Sequence, residues 1–374
     1  MSSNAEKESQ LSVAGWTDKL SGLQARYPGF WIGLGNLESR VLSDRLADIA
    51  IEKPIYIAGL ARSGTTILLE LLALNPQLSG HRYRDFPPIL APWFWNWFVD
   101  RAGGRDKAAS ERAHGDGIEV TPESPEAFEE VIWMAFFEKL HDPDVSAVLT
   151  AATENRDFEE FYRDHIRKML LIRGGSRYLS KGNYNVTRLA YLLKLFPDAK
   201  FVLQIRDPVW HIASLMQQHE RFCREHKRDV RLQRHMSRSG HFEFGLDRRP
   251  INSGNTSVTA EVRKLWAEGR EIEGWALYWK DLYGHVADAL KADDALRRAT
   301  LVVNYEALCS KPEQVMAAVV AHCELPPGEI DLVAEGVRRI RHPSYYEPAF
   351  SQEEIALIET VTGPVTGRLD TLAA

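Results

Sequence analysis

No stretch of the chain carries the roughly 18 consecutive apolar residues needed to span a bilayer. The nearest, Phe86–Phe98, is shorter and broken by three prolines. Cysteine is nearly absent: Cys223, Cys309 and Cys323 are the only three in 374 residues, far apart and without metal-ligand spacing. That argues against a disulfide-stapled secreted scaffold and points to reduced thiols. Basic charge is also lacking, with 46 Lys and Arg against 52 Asp and Glu and a net charge of −6. A non-specific nucleic-acid binder would be basic overall, although a local arginine cluster suffices for a small polyanion. The opening residues Met1–Glu8 are polar, with no apolar segment behind them to act as a signal peptide. The cytoplasm is the expected location.

What is present is ordinary soluble-protein composition, 44% hydrophobic and 26% charged, in a chain long enough for one large α/β domain or two smaller ones. The most informative stretch is Pro54–Thr66. It reads as a buried strand, a tight glycine loop and the start of an amphipathic helix, Ile67–Leu74. Such a turn aims backbone N–H groups and a helix N-terminus at one spot, which favours a bound anion. Gly59 and Gly64 have the spacing of a nucleotide-binding P-loop, but Thr65 stands where that loop carries its phosphate-bridging lysine. The cation has moved to Arg62, which suggests anion transfer other than ATP or GTP hydrolysis.

Residues 1–50 read as a helical N-terminal extension, with apolar spacing through Leu37, Val41, Leu42, Leu46 and Ile49. Residues 51–374 read as the α/β domain. Helices are expected over Thr121–Leu140, Phe158–Leu171 and Asn185–Leu195, and strands over Lys200–Ile205 and Thr300–Tyr305. Asp207 suits a helix N-cap and Pro208 the first helical position. Strands alternating with helices imply a P-loop-like three-layer fold around a central parallel sheet. A polar stretch, 217–257, is crowded with arginine and histidine and then rich in Gly, Asn and Ser. It reads as a candidate lid, a binding loop or a solvated surface segment. There is no internal repeat.

Three motifs in order carry a family resemblance. Arg62-Ser63-Gly64-Thr65-Thr66 resembles the 5′-phosphosulfate loop of sulfotransferases that use 3′-phosphoadenosine-5′-phosphosulfate (PAPS). Phe196–Pro208, followed by Ser214, is similar to their 3′-phosphate signature. Val303–Leu308 resembles their late tyrosine–glutamate motif. The flavour is that of the bacterial and tyrosylprotein-type branch. The resemblance implies transfer of a sulfuryl group from PAPS to a hydroxyl group, with no metal required.

The residues support two anion sites on one sheet edge. Arg62, Ser63, Gly64, Thr65 and Thr66 form the first. Arg206, at a strand end, and Ser214, two helical turns later on the face pointing back, form the second. Taken alone, Ser63, Thr65 and Thr66 also read as helix caps, and Arg206-Asp207-Pro208 as a helix start with a surface ion pair. Tyr305 contacts the nucleotide or simply ends a buried strand. By resemblance, Lys181 acts at the transferring sulfuryl group; its bland alternative is a solvated loop lysine.

Counting nine residues on from Asn75-Pro76, the resemblance implies Asp85 as the general base. His81 is the rival, and a salt bridge from Asp85 to Arg82 or Arg84 the structural alternative. Trp93, Phe94, Trp95, Trp97 and Phe98 read as core or as the wall of an acceptor pocket. The acceptor class stays open among lipid, glycan, peptide tyrosine and small phenol. Two other readings remain. A P-loop kinase or nucleotidase would show magnesium-dependent ATP turnover. A non-catalytic nucleotide-binding module would bind the nucleotide and transfer nothing.

Overall fold

In the computed structural model, residues 13–101, 110–111, 119–342 and 347–373 are described. The strands β1 (Ile55–Ala58), β2 (Leu78–Ser79), β3 (Arg177–Gly182), β4 (Lys200–Ile205) and β5 (Thr300–Asn304) form one parallel sheet in the order β2-β3-β1-β4-β5. The apolar runs are continuous because both faces are buried. Along β1, Tyr56 and Ala58 enter one core while Ile55 and Ile57 enter the other; Phe201 and Leu203 alternate with Val202 in the same way. Helices Arg156–Arg173, Pro208–Arg228 and Glu271–Ala292 cover the first face, Thr65–Leu72 and Pro312–His322 the second. This is the expected three-layer α/β fold. Among the described residues no helix is long and apolar enough to cross a membrane.

The N-terminal residues fold as helices Gly15–Arg26, Pro28–Val41 and Ser43–Ala47. The second is anchored by a buried ion pair: Lys168 Nζ lies 3.2 Å from Glu38, whose other oxygen accepts from the Phe94 backbone at 2.6 Å.

Three local expectations differ from the structure. Thr121–Leu140 is helical only over Glu130–Phe136. Residues before it pair irregularly with 81–84 instead, through Tyr83 N to Ser124 O and Glu126 N to His81 O, and Pro122 and Pro125 lack the N–H a helix interior needs. The polar stretch 217–257 is largely helical. The helix from Pro208 runs on to Arg228 and a second spans Val230–Ser239, burying Phe222, Leu232 and Met236 beneath the arginines. Lys181 lies on β3, a strand whose charged ends Arg177 and Lys181 disguise it. The helix Pro92–Arg101, in turn, buries Pro92 and Asn96 and leaves Trp97 and Phe98 half-exposed.

Candidate active site

The loop after β1 is shaped by its own sterics. Gly59 and Gly64 have φ of 147° and 96°. A Cβ on Gly59 would sit 2.5 Å from the Gln204 carbonyl, and one on Gly64 would overlap the Tyr305 ring. Arg62, with φ 70°, is one of three non-glycine residues with positive φ among the described residues. Such backbone strain costs about 1–3 kcal/mol and survives where surroundings over-determine it.

The surroundings here hold the loop carbonyls from behind. Ser63 Oγ donates to Leu60 O at 2.7 Å, His211 Nε2 to Ala61 O at 2.8 Å and Arg206 Nη1 to Arg62 O at 3.1 Å. Tyr283 OH accepts from Leu60 N and donates to Gln204 O, each at 3.2 Å. Burial lowers the His211 pKa to about 3, so it serves as a neutral donor. With its carbonyls engaged behind, the loop leads into helix Thr65–Leu72, whose first turn has no side-chain cap. Its leading N–H groups therefore stay available to a ligand. The Ser63 hydroxyl, expected at the ligand, is spent on closing the loop.

The other expected donor residues converge on this loop. Arg62 Nε donates to Ser214 Oγ at 3.2 Å. Arg206 is buried, with its guanidinium 4.9 Å above the Tyr305 ring and Nε 3.9 Å from Glu306. Glu306 also accepts from the Asp207 backbone at 3.1 Å, while the Asp207 carboxylate caps the following helix through Trp210 N. Burial raises the Glu306 pKa despite the Asp207 amide and Arg206.

Glu306 and Gln204 were not singled out in the sequence. The first follows Tyr305 in the motif, so its signal was present. The second gave none. Gln204 is fully buried against the loop, and neither Oε1 nor Nε2 has a partner among the described residues. An orphaned buried amide costs about 1–3 kcal/mol, which a bound ligand or water would offset.

On the β3 side lies a polar pocket lined by Lys181, Ser180, His81, Arg82, Glu123 and Glu126, among others. Ser180, beside Lys181, donates at 2.9 Å to the buried Glu129, which also accepts from Tyr162 and Tyr178. His81 is buried, its Nε2 3.1 Å from His165 Nε2, and burial takes its pKa down to about 4.

Asp85 is not in the pocket lining. It is fully buried, with Oδ1 accepting from Arg173 at 2.5 Å and from Asn96 at 2.9 Å, and Oδ2 from the Arg82 backbone at 2.7 Å. Burial opposes ionisation, but Arg173, His81 and the Arg82 amide together outweigh it and the pKa is lowered. Arg82 and Arg84, the partners considered from sequence, pair instead with Glu123.

A family model described as "Sulfotransferase family" matches residues 54–243. Over 216 residues the chain is 27% identical to omega-hydroxy-beta-dihydromenaquinone-9 sulfotransferase Stf3 of Mycobacterium bovis, with 52% of each chain covered. The protein of that name from Mycobacterium tuberculosis matches equally. The chain thus spans about half the length of the curated relatives it matches. Among solved structures, sulfotransferase STF9 from Mycobacterium avium aligns with a TM-score of 0.50 at 15% identity, over 89% of this chain and 80% of that one, a likeness of fold.

Proposed function

Because the chain belongs to the sulfotransferase family, we propose that it transfers a sulfuryl group from PAPS to a hydroxyl acceptor, leaving adenosine 3′,5′-bisphosphate. The observation that carries this is the meeting of two arginine-centred anion sites, Arg62 with Ser214 and Arg206 with Tyr305, at the ends of the adjacent strands β1 and β4. PAPS has two separate anionic groups, and these sites fit them.

Arg62 and the N–H groups of Gly64, Thr65 and Thr66 hold the 5′-phosphosulfate. Arg206, oriented by Glu306 and Tyr305, holds the 3′-phosphate. Gln204 supplies a further donor or acceptor beneath the loop. When bound, PAPS supplies the sulfuryl group and a stable bisphosphate leaving group. Lys181 neutralises the charge that spreads over the transferring group, and the fixed amides add preorganised dipoles. Asp85 acts as a structural carboxylate rather than as the base, its lone pairs being committed to Arg173, Asn96 and Arg82. His81, held neutral, orients the pocket.

For the acceptor we infer an alcohol on an apolar chain. The relatives are named for a menaquinone-type hydroxyl, and apolar side chains stand exposed on the first two helices and Pro92–Arg101, Phe30 at 66% and Phe98 at 56%. We place the enzyme in the cytoplasm, a location the sparse, unpaired cysteines support. Calorimetry with adenosine 3′,5′-bisphosphate in magnesium-free buffer tests the donor site; absence of binding would remove it. Incubation with labelled PAPS and a panel of isoprenoid alcohols, sugars and phenols then tests transfer and ranks the acceptors.

A further inference from the structure

The polar stretch that the donor site leaves unexplained returns to the end of β3, just past Lys181. Asn183, two residues beyond Lys181, donates from Nδ2 to Glu243 Oε1 at 2.7 Å. The other Glu243 oxygen lies 3.6 Å from His241 Nδ1, an ion-pair distance, with the Glu243 side chain 7% and the His241 side chain 25% exposed.

The segment is held rigidly. His241 N donates to Met236 O at 2.8 Å, Phe242 N to Tyr184 OH at 3.0 Å, and Arg249 N to Phe242 O at 2.8 Å. Gly240 and Gly245 bracket it with φ of 83° and 81°, where any Cβ would overlap Glu130 and His226 respectively. Burial opposes a proton on the imidazole; Glu243 and the pocket residue Glu126 favour it, and Lys181 of the same pocket opposes it. His235, whose pKa burial, His241 and Arg238 bring down to about 4, is a further titrating neighbour.

We propose that His241 is the general base of sulfuryl transfer, accepting the acceptor's hydroxyl proton at Nε2, with Glu243 as the positioning residue that holds Nδ1–H. A carboxylate on one imidazole nitrogen fixes the tautomer and leaves the other nitrogen's lone pair for the substrate. As the acceptor oxygen bonds to sulfur, the bond from sulfur to the 5′-phosphate oxygen breaks and that oxygen keeps the electron pair. The hydroxyl proton passes to Nε2 and leaves to solvent from this partly exposed side chain. The rivals are less suited. Asp85 is fully buried and engaged by Arg173, Asn96 and the Arg82 amide, and His81, at a pKa of about 4, is a weak base buried against His165. His241 is shifted the other way: burial opposes its charge, yet Glu243 and Glu126 leave its pKa raised.

The proposal rests on the sulfuryl-transfer reading, and the experiment separates the two. PAPS consumption is followed with geraniol as the probe alcohol from about pH 5 to 9, for wild type, His241→Asn, His241→Gln, Glu243→Gln and Glu126→Gln. Calorimetry with adenosine 3′,5′-bisphosphate checks each fold. Wild-type kcat/KM should rise with pH through a value above the ordinary histidine pKa and then level. Both His241 variants should lose about 100-fold or more and the rising limb, while nucleotide affinity stays within about twofold. Glu243→Gln should keep the limb but move it to lower pH, matching a downward shift of the His241 titration in histidine NMR.

A His241 variant that folds and keeps both rate and limb overturns the proposal and leaves sulfuryl transfer standing. Loss of the limb in Glu126→Gln alone also overturns it, in favour of that carboxylate. If wild type binds the nucleotide but never consumes PAPS with any alcohol, the transfer reading falls, and the base with it.

Discussion

Asp85→Asn separates a structural carboxylate from a catalytic one. In the folded protein Asp85 has no exposed surface and the Arg173 side chain is 6% exposed, so the substitution leaves a buried guanidinium without its counter-charge. Removing one partner of a buried pair costs about 3–5 kcal/mol. The new amide also turns a donor toward the Arg82 N–H wherever it keeps its oxygen on Arg173, which places the cost at the upper end. Spread over 374 residues, with an unfolding entropy of about 2.1 cal/mol/K per residue, this lowers the melting temperature by about 4–6 °C. Arg173→Met alone should be similarly damaging, and the double variant should recover a good part of the loss, because the pair then leaves together. Circular dichroism melts measure the stability and PAPS consumption the activity. An Asp85→Asn protein that melts within about 1 °C of wild type yet loses turnover about 100-fold would refute the structural assignment and make Asp85 the base.

Arg206→Ala should weaken adenosine 3′,5′-bisphosphate by about 1.5–3 kcal/mol, the worth of hydrogen bonds to a charged group, and adenosine 5′-phosphosulfate, which lacks the 3′-phosphate, by clearly less, through the lost hold on the Arg62 carbonyl alone; equal losses in calorimetry would remove the second site. Gly64→Ala places a Cβ on the Tyr305 ring at positive φ, which should cost about 2–5 kcal/mol from overpacking and left-handed strain together. Adding Tyr305→Ala should relieve only the overpacking share, as read by urea unfolding. Acid stability should reveal Glu130. Burial raises its pKa, but Arg188 and His141 lower it further, to about 2 from 4.5. A depressed carboxyl stabilises the fold above its unfolded pKa, so about 3 kcal/mol should be lost as pH falls from 4.5 toward 2, and Glu130→Gln should flatten that loss.

How much of this was legible in the sequence depended on the range of the contacts. Strand Lys200–Ile205 with its Asp207 cap and Pro208 start was read correctly, because alternation, cap and proline act within a few residues. Helical periodicity turns Ser214 back toward the strand ends and pairs it with Arg206; its hydroxyl instead accepts from Arg62 Nε at 3.2 Å, because the loop after β1 lies against that helix, held there by His211 on Ala61 O. The partner of Asp85 was not legible. Arg82 and Arg84 stand beside it in the chain, whereas Arg173 lies 88 residues away and reaches it only because Arg156–Arg173 packs across the sheet. The stretch 217–257 looked like a loop for a related reason. Its charges outnumber the few apolar residues that hold it down, and Phe222, Leu232 and Met236 find their core only in three dimensions.

The proposed reaction divides between the two sides of β1. Ala58 pairs with Leu203 on β4 and with Gly182 on β3, so the loop that begins at Gly59 opens level with Gln204 on one flank and Asn183 on the other. Further along the first flank, Ile205 pairs with Asn304, which sets Arg206 beside Tyr305. Arginine, glutamine and tyrosine thus gather where β4 and β5 end, with the Glu306 and Asp207 carboxylates held by the Asp207 and Trp210 amides. The opposite flank carries Lys181, Asn183 and, through that asparagine, Glu243 and His241. In the proposed reaction the donor's two phosphates are held over the loop and on the first flank, and the proton is accepted on the second. A sulfuryl group bound over the loop at Gly64 would therefore pass from the β4 side toward the β3 side. Changes at Arg206 should act on donor affinity with the pH profile unchanged, and changes at His241 on the profile with donor affinity unchanged.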